Sequence, residues 1–228
     1  MTVKAIFLDF YGTLVYEDDE ILRTIVGQIH RSAEEDNDAE SIGKYWWSSF
    51  SELFRASRGE RFESQRTLAL RSLQETISRF GSTCRAEELI APQYEHWVRP
   101  PLFDDTLPFL QAVREQGIPA YILSNIDTAD VLAAALHNGI ETQGVITSED
   151  VRSYKPNPEL FHEALSRYRL KPDEVIHVGD SLTSDVAGAQ GAGIRAVWVN
   201  RLRKAAPDTI RPDFTVTGLR EIERIVGR

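Results

Sequence analysis

Short apolar runs of strand length alternate along the chain with stretches whose apolar residues recur at helical spacing, and one long segment breaks the alternation. Val3–Leu8 is a nearly unbroken apolar run that predicts a strand buried on both faces, and it stops at Asp9 before turning through Gly12. From about Glu17 to Val98 no run reads as a strand. Glu17-Asp18-Asp19-Glu20 suits a helix N-terminus. Ile21, Leu22, Ile25, Val26 and Ile29 then keep helical spacing until a polar break from Glu34 to Glu40. A second helical stripe carries Ile42, Tyr45, Trp46, Phe50, Leu53 and Phe54. A third carries Leu70, Leu73, Ile77 and Phe80 before Gly81, and a fourth Leu89, Ile90, Tyr94 and Trp97. Arg99-Pro100-Pro101 ends the segment as a semi-rigid connector.

The alternation then resumes. Helices are predicted over Thr106–Gln116, Asp127–His137, a stretch opened by Lys155-Pro156-Asn157-Pro158, a stretch near Asp185–Ala192, and a weak one over Leu219–Val226. Between them lie strands at Pro119–Leu123, Val145–Thr147, Glu174–Val178 and Arg195–Val199. Strands alternating with helices imply a parallel sheet with right-handed crossovers. The expected fold class is α/β: a parallel-sheet core from residues 1–16 and 99–228, with an all-helical unit, residues 17–98, inserted.

Composition narrows the function. With 42% hydrophobic residues, the 228-residue chain can bury a real core. A formal net charge of −9 counts against a nucleic-acid or membrane-surface partner, and an anionic substrate would need local cations to overcome that field. Cys84 is the only cysteine, so no intrachain disulfide forms. No apolar run reaches the roughly 20 residues that span a bilayer, and no secretory segment precedes the first strand, so a cytoplasmic location is expected. The five histidines are scattered singly, unlike a zinc site. Nothing in the sequence indicates the oligomeric state.

Four predicted strands end in polar residues: Asp9, Ser124-Asn125, the Thr147-Ser148 loop leading to Lys155, and Asp180 with Asp185. Singly each has a plain structural reading, as a turn, a helix cap or a surface lysine. In a parallel sheet their ends converge on one edge, where such folds assemble their chemistry. Together they hold what a phosphate-handling site needs. Asp9 can attack phosphorus, and Asp9 and Asp180 can share Mg²⁺ with Asp185 in direct or water-mediated support. Lys155 can neutralise nucleophile and substrate, while Ser124 and Asn125 can donate hydrogen bonds to the substrate.

These motifs, Asp9-Phe10-Tyr11-Gly12-Thr13-Leu14, Ser124-Asn125, Lys155-Pro156-Asn157-Pro158 and Gly179-Asp180-Ser181 with Asp185, resemble those of the haloacid dehalogenase superfamily of hydrolases in order and spacing. The resemblance implies a Rossmann-like core, Asp9 as nucleophile, a metal site completed by the Tyr11 backbone carbonyl, and a helical cap closing over a small anionic substrate. Phosphatases of that superfamily carry an acid/base Asp where this chain has Tyr11, whereas its 2-haloacid dehalogenases carry Tyr. A phenol near pKa 10 can donate a proton weakly, which makes Tyr11 a candidate catalytic residue beside Asp9 and Lys155, but it is a poor base at neutral pH, and a departing halide needs no proton. Against dehalogenation, this chain keeps Asp180 and Asp185, which those metal-independent enzymes replace. It has Phe161 near where they carry a tyrosine, and its cap offers no counterpart of their arginine. The readings are a Mg²⁺-dependent phosphatase acting through an aspartyl-phosphate, a 2-haloacid dehalogenase, and a weakly active or non-catalytic anion binder. In the cap, Trp47 lies off the main aromatic stripe and is the expected cleft-facing residue. Tyr16–Glu20 and Arg99-Pro100-Pro101 are expected hinges.

Overall fold

A computed structural model describes residues 3–34, 38–207 and 209–226. Of the polar break expected over Glu34–Glu40, residues 35–37 lie outside that description. The elements in chain order are β1 (Ala5–Leu8), α1 (Asp19–Ser32), α2 (Ala39–Ala56), α3 (Gln65–Arg79), α4 (Ala86–Val98), α5 (Thr106–Glu115), β2 (Ala120–Ser124), α6 (Thr128–His137) and β3 (Gly144–Thr147). They continue with α7 (Ser148–Val151), α8 (Glu159–Tyr168), β4 (Val175–Gly179), α9 (Gly188–Gly191), β5 (Arg195–Val199), β6 (Phe214–Val216) and α10 (Glu223–Val226).

The six strands form one parallel sheet in the order β3-β2-β1-β4-β5-β6. All four residues of β1 are buried, as its unbroken apolar run requires. Its alternating side chains feed two cores. Ile6 and Leu8 join Ile122, Ile176, Val178 and Val197 on one face. Phe7 joins Leu123, Ile146, Phe161 and Trp198 on the other. The chain passes from β1 outward through β2 to β3, then returns to place β4 on the opposite side of β1. The crevice at the carboxyl ends of β1 and β4 is therefore a topological switch point, the usual ligand position in open α/β sheets. Asp9 and Asp180 each follow one of these two strands directly.

Several boundaries differ from expectation by a residue or two, and four differences are larger, the first being the short helix α7 where a loop toward Lys155 is expected. β6 was not expected: it has three residues, two of them exposed, too few to show a period. The helix expected near Asp185–Ala192 begins instead with a π-helical turn, Leu182–Ala187, running into α9. The expected Leu219–Val226 helix divides into a 3₁₀ turn, Leu219–Glu221, and α10.

Helices α1–α4 lie between β1 and β2 and pack on one another through the expected stripes, including Ile25, Ile29, Ile42, Trp46, Leu73, Ile77, Leu89 and Ile90. Asp38 caps α2 by accepting from Ser41 N–H, and Ser64 caps α3 by accepting from Thr67 N–H. Asp127, on the loop after β2, accepts from the first two amides of α3, Gln65 (2.7 Å) and Arg66 (3.0 Å). The Arg66 guanidinium forks onto Asp130 with two 2.7 Å bonds. On the far side Arg152 donates to the Gly59 carbonyl, Tyr154 Oη to the Glu63 carbonyl, and Arg58 pairs with Glu159. The helical unit thus rests on the core at two places away from its chain crossings. No helix among the described residues is long and apolar enough to cross a membrane.

Candidate active site

The turn after β1 is fixed from several sides. Asp9 N–H donates to Val178 O (2.9 Å), carrying the β1–β4 pairing one residue past the strand. Thr13 Oγ1 donates to Asp9 Oδ2 (3.2 Å), and Arg201 holds the Thr13 carbonyl from below while forking onto Asp105. Gly12 sits at φ +79°, and a Cβ there would fall 2.5 Å from Asp180 Cγ. Glycine is needed for both reasons: the left-handed backbone and the carboxylate lying against it.

Lys155 is 1% exposed, and its ammonium donates to Asp9 Oδ1 (2.7 Å), Asp185 Oδ1 (2.6 Å) and Leu123 O (2.8 Å). All three donors are therefore used inside the protein. Asn125 braces the lysine: its Oδ1 accepts from Lys155 N–H, and its Nδ2 donates to Lys155 O. Ser124 Oγ, almost fully buried, accepts from Ile126 N–H. Asp185 Oδ2 accepts from Ser181 N–H, while Oδ1 also takes a 3.0 Å hydrogen bond from His177 Nε2. A Cβ at Gly179 would lie 2.2 Å from Asp185 Cγ, so this approach too depends on a glycine.

Asp9, Asp180 and Asp185 can bring one oxygen each to within 4.8 Å of one another. Among the described residues, Lys155 is the only cation hydrogen-bonded to them. Burial, then the Asp185 charge, pushes the Asp9 carboxyl up to about 6 against the opposing pull of Lys155. Burial and the charges of Asp9 and Asp185 push Asp180 well above the usual carboxylate range. Asp185 goes the other way: burial opposes its charge, but Lys155 and the His177 hydrogen bond hold it well below that range. Burial keeps His177 neutral by lowering its pKa. The cluster thus has more carboxylate than one lysine can balance. A hard divalent cation with oxygen ligands fits that donor set, and Asp9, Asp180 and Asp185 are the residues able to hold it.

Three participants were not legible in the sequence. His177 reaches Asp185 eight residues along the chain, across the strand-to-helix turn, and in sequence is one more residue of a buried strand. Thr13 reaches Asp9 by closing the turn on itself. Glu17, expected as part of a helix N-terminus and a hinge, is exposed at the surface and lies near the cluster. Desolvation, then the charges of Asp180, Asp18 and Asp9, push its carboxyl well above the usual range. Tyr11 Oη donates to the carbonyl of Trp97 at the end of α4. Trp47 is 68% exposed, and its ring begins a run through Phe50 and Phe54 to Tyr154, the neighbour of Lys155.

The fold and this strand-end cluster define a Rossmann-like α/β core with an inserted helical unit. A family model described as haloacid dehalogenase-like hydrolase matches residues 3–193, and the chain belongs to that family. Over 147 residues it is 35% identical to a phosphoserine phosphatase of Thermus thermophilus, covering 62% of this chain and 58% of that protein. Over 136 residues it is 27% identical to haloacetate dehalogenase H-2 of a Moraxella species, covering 58% and 60%. The matches thus span about three fifths of these relatives' length. A solved L-2-haloacid dehalogenase shares the fold over the whole of both chains, with a TM-score of 0.79 at 19% identity. Relatives of the chain include both phosphatases and dehalogenases.

Proposed function

We propose that the protein is a Mg²⁺-dependent phosphatase acting on a small phosphorylated metabolite, with residues 17–98 as a cap over the core formed by 1–16 and 99–228, and that it works in the cytoplasm. The observation that carries this reading is the surplus of carboxylate around one lysine. Among the described residues, Asp180 lies within reach of Asp9 with no hydrogen-bonded cation of its own, an arrangement that would repel a bare carboxylate substrate but suits a bound cation. Asp9, Asp180, Asp185 and the Tyr11 carbonyl would hold the ion. Bound there, Mg²⁺ would supply charge neutralisation for nucleophile and phosphoryl group.

In this reading an Asp9 carboxylate oxygen attacks phosphorus and the ester oxygen leaves, giving an aspartyl-phosphate that water then hydrolyses back to Asp9 and phosphate. Lys155 keeps Asp9 oriented and offsets its charge, and Asp185 with His177 keeps Lys155 in place. Ser124 and Asn125 line the phosphate side, where Asn125 acts mainly by holding the Lys155 backbone. The Tyr11 hydroxyl, engaged with Trp97, leaves protonation of the departing oxygen weakly served, so activated esters should be the better substrates.

Tyr11 also favours a second reading, 2-haloacid dehalogenation with Asp9 attacking the halogen-bearing carbon, because a halide leaves without a proton. One comparison separates the two. Phosphate release from an aryl phosphate is expected in Mg²⁺, lost in excess chelator and lost in Asp9→Asn. Halide release from a 2-chloro acid that persists in chelator would replace the phosphatase reading with the dehalogenase one.

A further inference from the structure

The chain leaves the core after Val15 and returns at Leu102, and these two crossings are joined as a neck. Val15 bridges Leu102 in antiparallel fashion, and Tyr16 N–H donates to Pro101 O (2.9 Å). Side chains add to the joint. Asp18 Oδ2 accepts from both Gln93 Nε2 (2.8 Å) and Trp97 Nε1 (2.9 Å), and His96 Nε2 lies 3.1 Å from Tyr16 O. Each of these bonds ties one crossing to the other. The Tyr11 bond is different. It runs from the turn that carries Asp9 to the last turn of α4.

The chemistry at the far end explains why a hydroxyl is there. The last carbonyls of a helix have no partner within it. Trp97 is the penultimate residue of α4, its side chain is buried, and the Arg99 amide bonds instead to Glu95 and His96. Tyr11 supplies the donor that the Trp97 carbonyl would otherwise lack. The Tyr11 ring is itself buried, edge-on to Phe10 at 5.1 Å, so the tie is stiff. At its near end, Asp9 N–H is bonded to β4 and Gly12 lies against Asp180. A tilt of the helical unit that displaced the end of α4 would therefore pull on the turn that sets the Asp9–Asp180 geometry.

We propose that Tyr11 is a positioning residue that fastens the second crossing of the neck to the nucleophile turn, so that the seat of the helical unit and the aim of Asp9 are set together. Its hydroxyl works as a helix C-terminal donor and takes no part in proton transfer to substrate. The inference goes beyond the choice of reaction, since either hydrolysis needs Asp9 aimed.

Tyr11→Phe removes the hydroxyl and keeps the ring. Hydrogen exchange on the full chain is expected to speed up roughly tenfold at amides of residues 15–19, 97–99 and 102–103, with β2 and β5 unchanged. With a series of substrates of differing leaving-group pKa, kcat/KM should fall by about the same factor for all. Unchanged exchange in the neck, or a loss that grows with leaving-group pKa, overturns the proposal, and the second result makes Tyr11 a proton donor. Should Tyr11→Phe fold poorly, Asp18→Asn loosens the same neck from outside the nucleophile turn. It is expected to give the same faster exchange and the same uniform loss, and a loosened neck with full turnover for every substrate also overturns the proposal.

Discussion

Lys155 uses all three of its donors on two carboxylates and one carbonyl, in a position almost closed to water. Replacing it by methionine keeps the volume but leaves Asp9 and Asp185 buried without their cation. Breaking a buried pair in this way costs about 3–5 kcal/mol, so Lys155→Met should lower the urea midpoint sharply in metal-free buffer. Gly12→Ala should cost activity more than stability. The new methyl would push the Asp180 carboxylate aside, and a displacement near 1 Å at a reacting group is worth about a hundredfold in turnover, read from steady-state rates. The Asp9 titration adds a pH signature. Its carboxyl is raised to about 6 in the fold, above its unfolded value near 4, so between those values the folded state holds more proton. Its contribution therefore lowers stability as pH rises from about 4 to about 6 in the absence of metal. A melting-temperature series over that range should show the fall, and added Mg²⁺ should reduce it under the metal reading.

At the scale of elements, the core and the helical unit hold each other by a cap that crosses between them. Asp127 serves the start of α3 from a loop of the sheet, taking the place of an N-terminal capping residue for the Gln65 and Arg66 amides. Asp127→Ala should lower stability by about 1–2 kcal/mol in urea unfolding and raise protease sensitivity around residues 58–66. None of this was legible in sequence, where Asp127 is one acid before a helix and its partners lie over sixty residues upstream. What was legible rested on local patterns. β1 and β4 announce themselves by apolar runs ending in Asp9 and Gly179-Asp180, and α1–α4 by their stripes. β6 was missed because Phe214–Val216 gains its strand geometry from pairing with β5, not from its own pattern. The π turn at Leu182–Ala187 was missed for a similar reason. Asp185, which a helix pattern places on the element's face, bonds back to the Ser181 amide and across to Lys155 and His177. The same division holds within the site. Asp9 and Asp180 stand at strand ends, and Lys155 and Asp185 follow β3 and β4 on the same edge of the sheet, where topology gathers them, whereas His177, Glu17 and the Tyr11–Trp97 bond depend on packing between segments.

The whole molecule sets one further constraint, because its formal charge of −9 opposes the approach of the anion that both readings of the site require. Lys155 cannot act as a beacon for that anion, since it is buried and already bonded to two carboxylates. Long-range attraction would have to come from a cation in the site, and within a Debye length the net charge of the protein opposes it, whereas beyond that length both are screened. That length is about 30 Å at 0.01 M salt and about 8 Å at 0.15 M. At low salt an approaching dianion feels the repulsion over most of the molecule's width; at physiological salt it feels only the mouth of the site. For an enzyme whose charge steers its substrate inward, kcat/KM falls as salt is added. Here the sign should be opposite. With free Mg²⁺ held constant and saturating, kcat/KM for a phosphate dianion should rise roughly twofold to threefold between 0.01 and 0.15 M of an inert salt, and kcat should stay level. A fall in kcat/KM would mean that positive potential at the mouth outweighs the net charge.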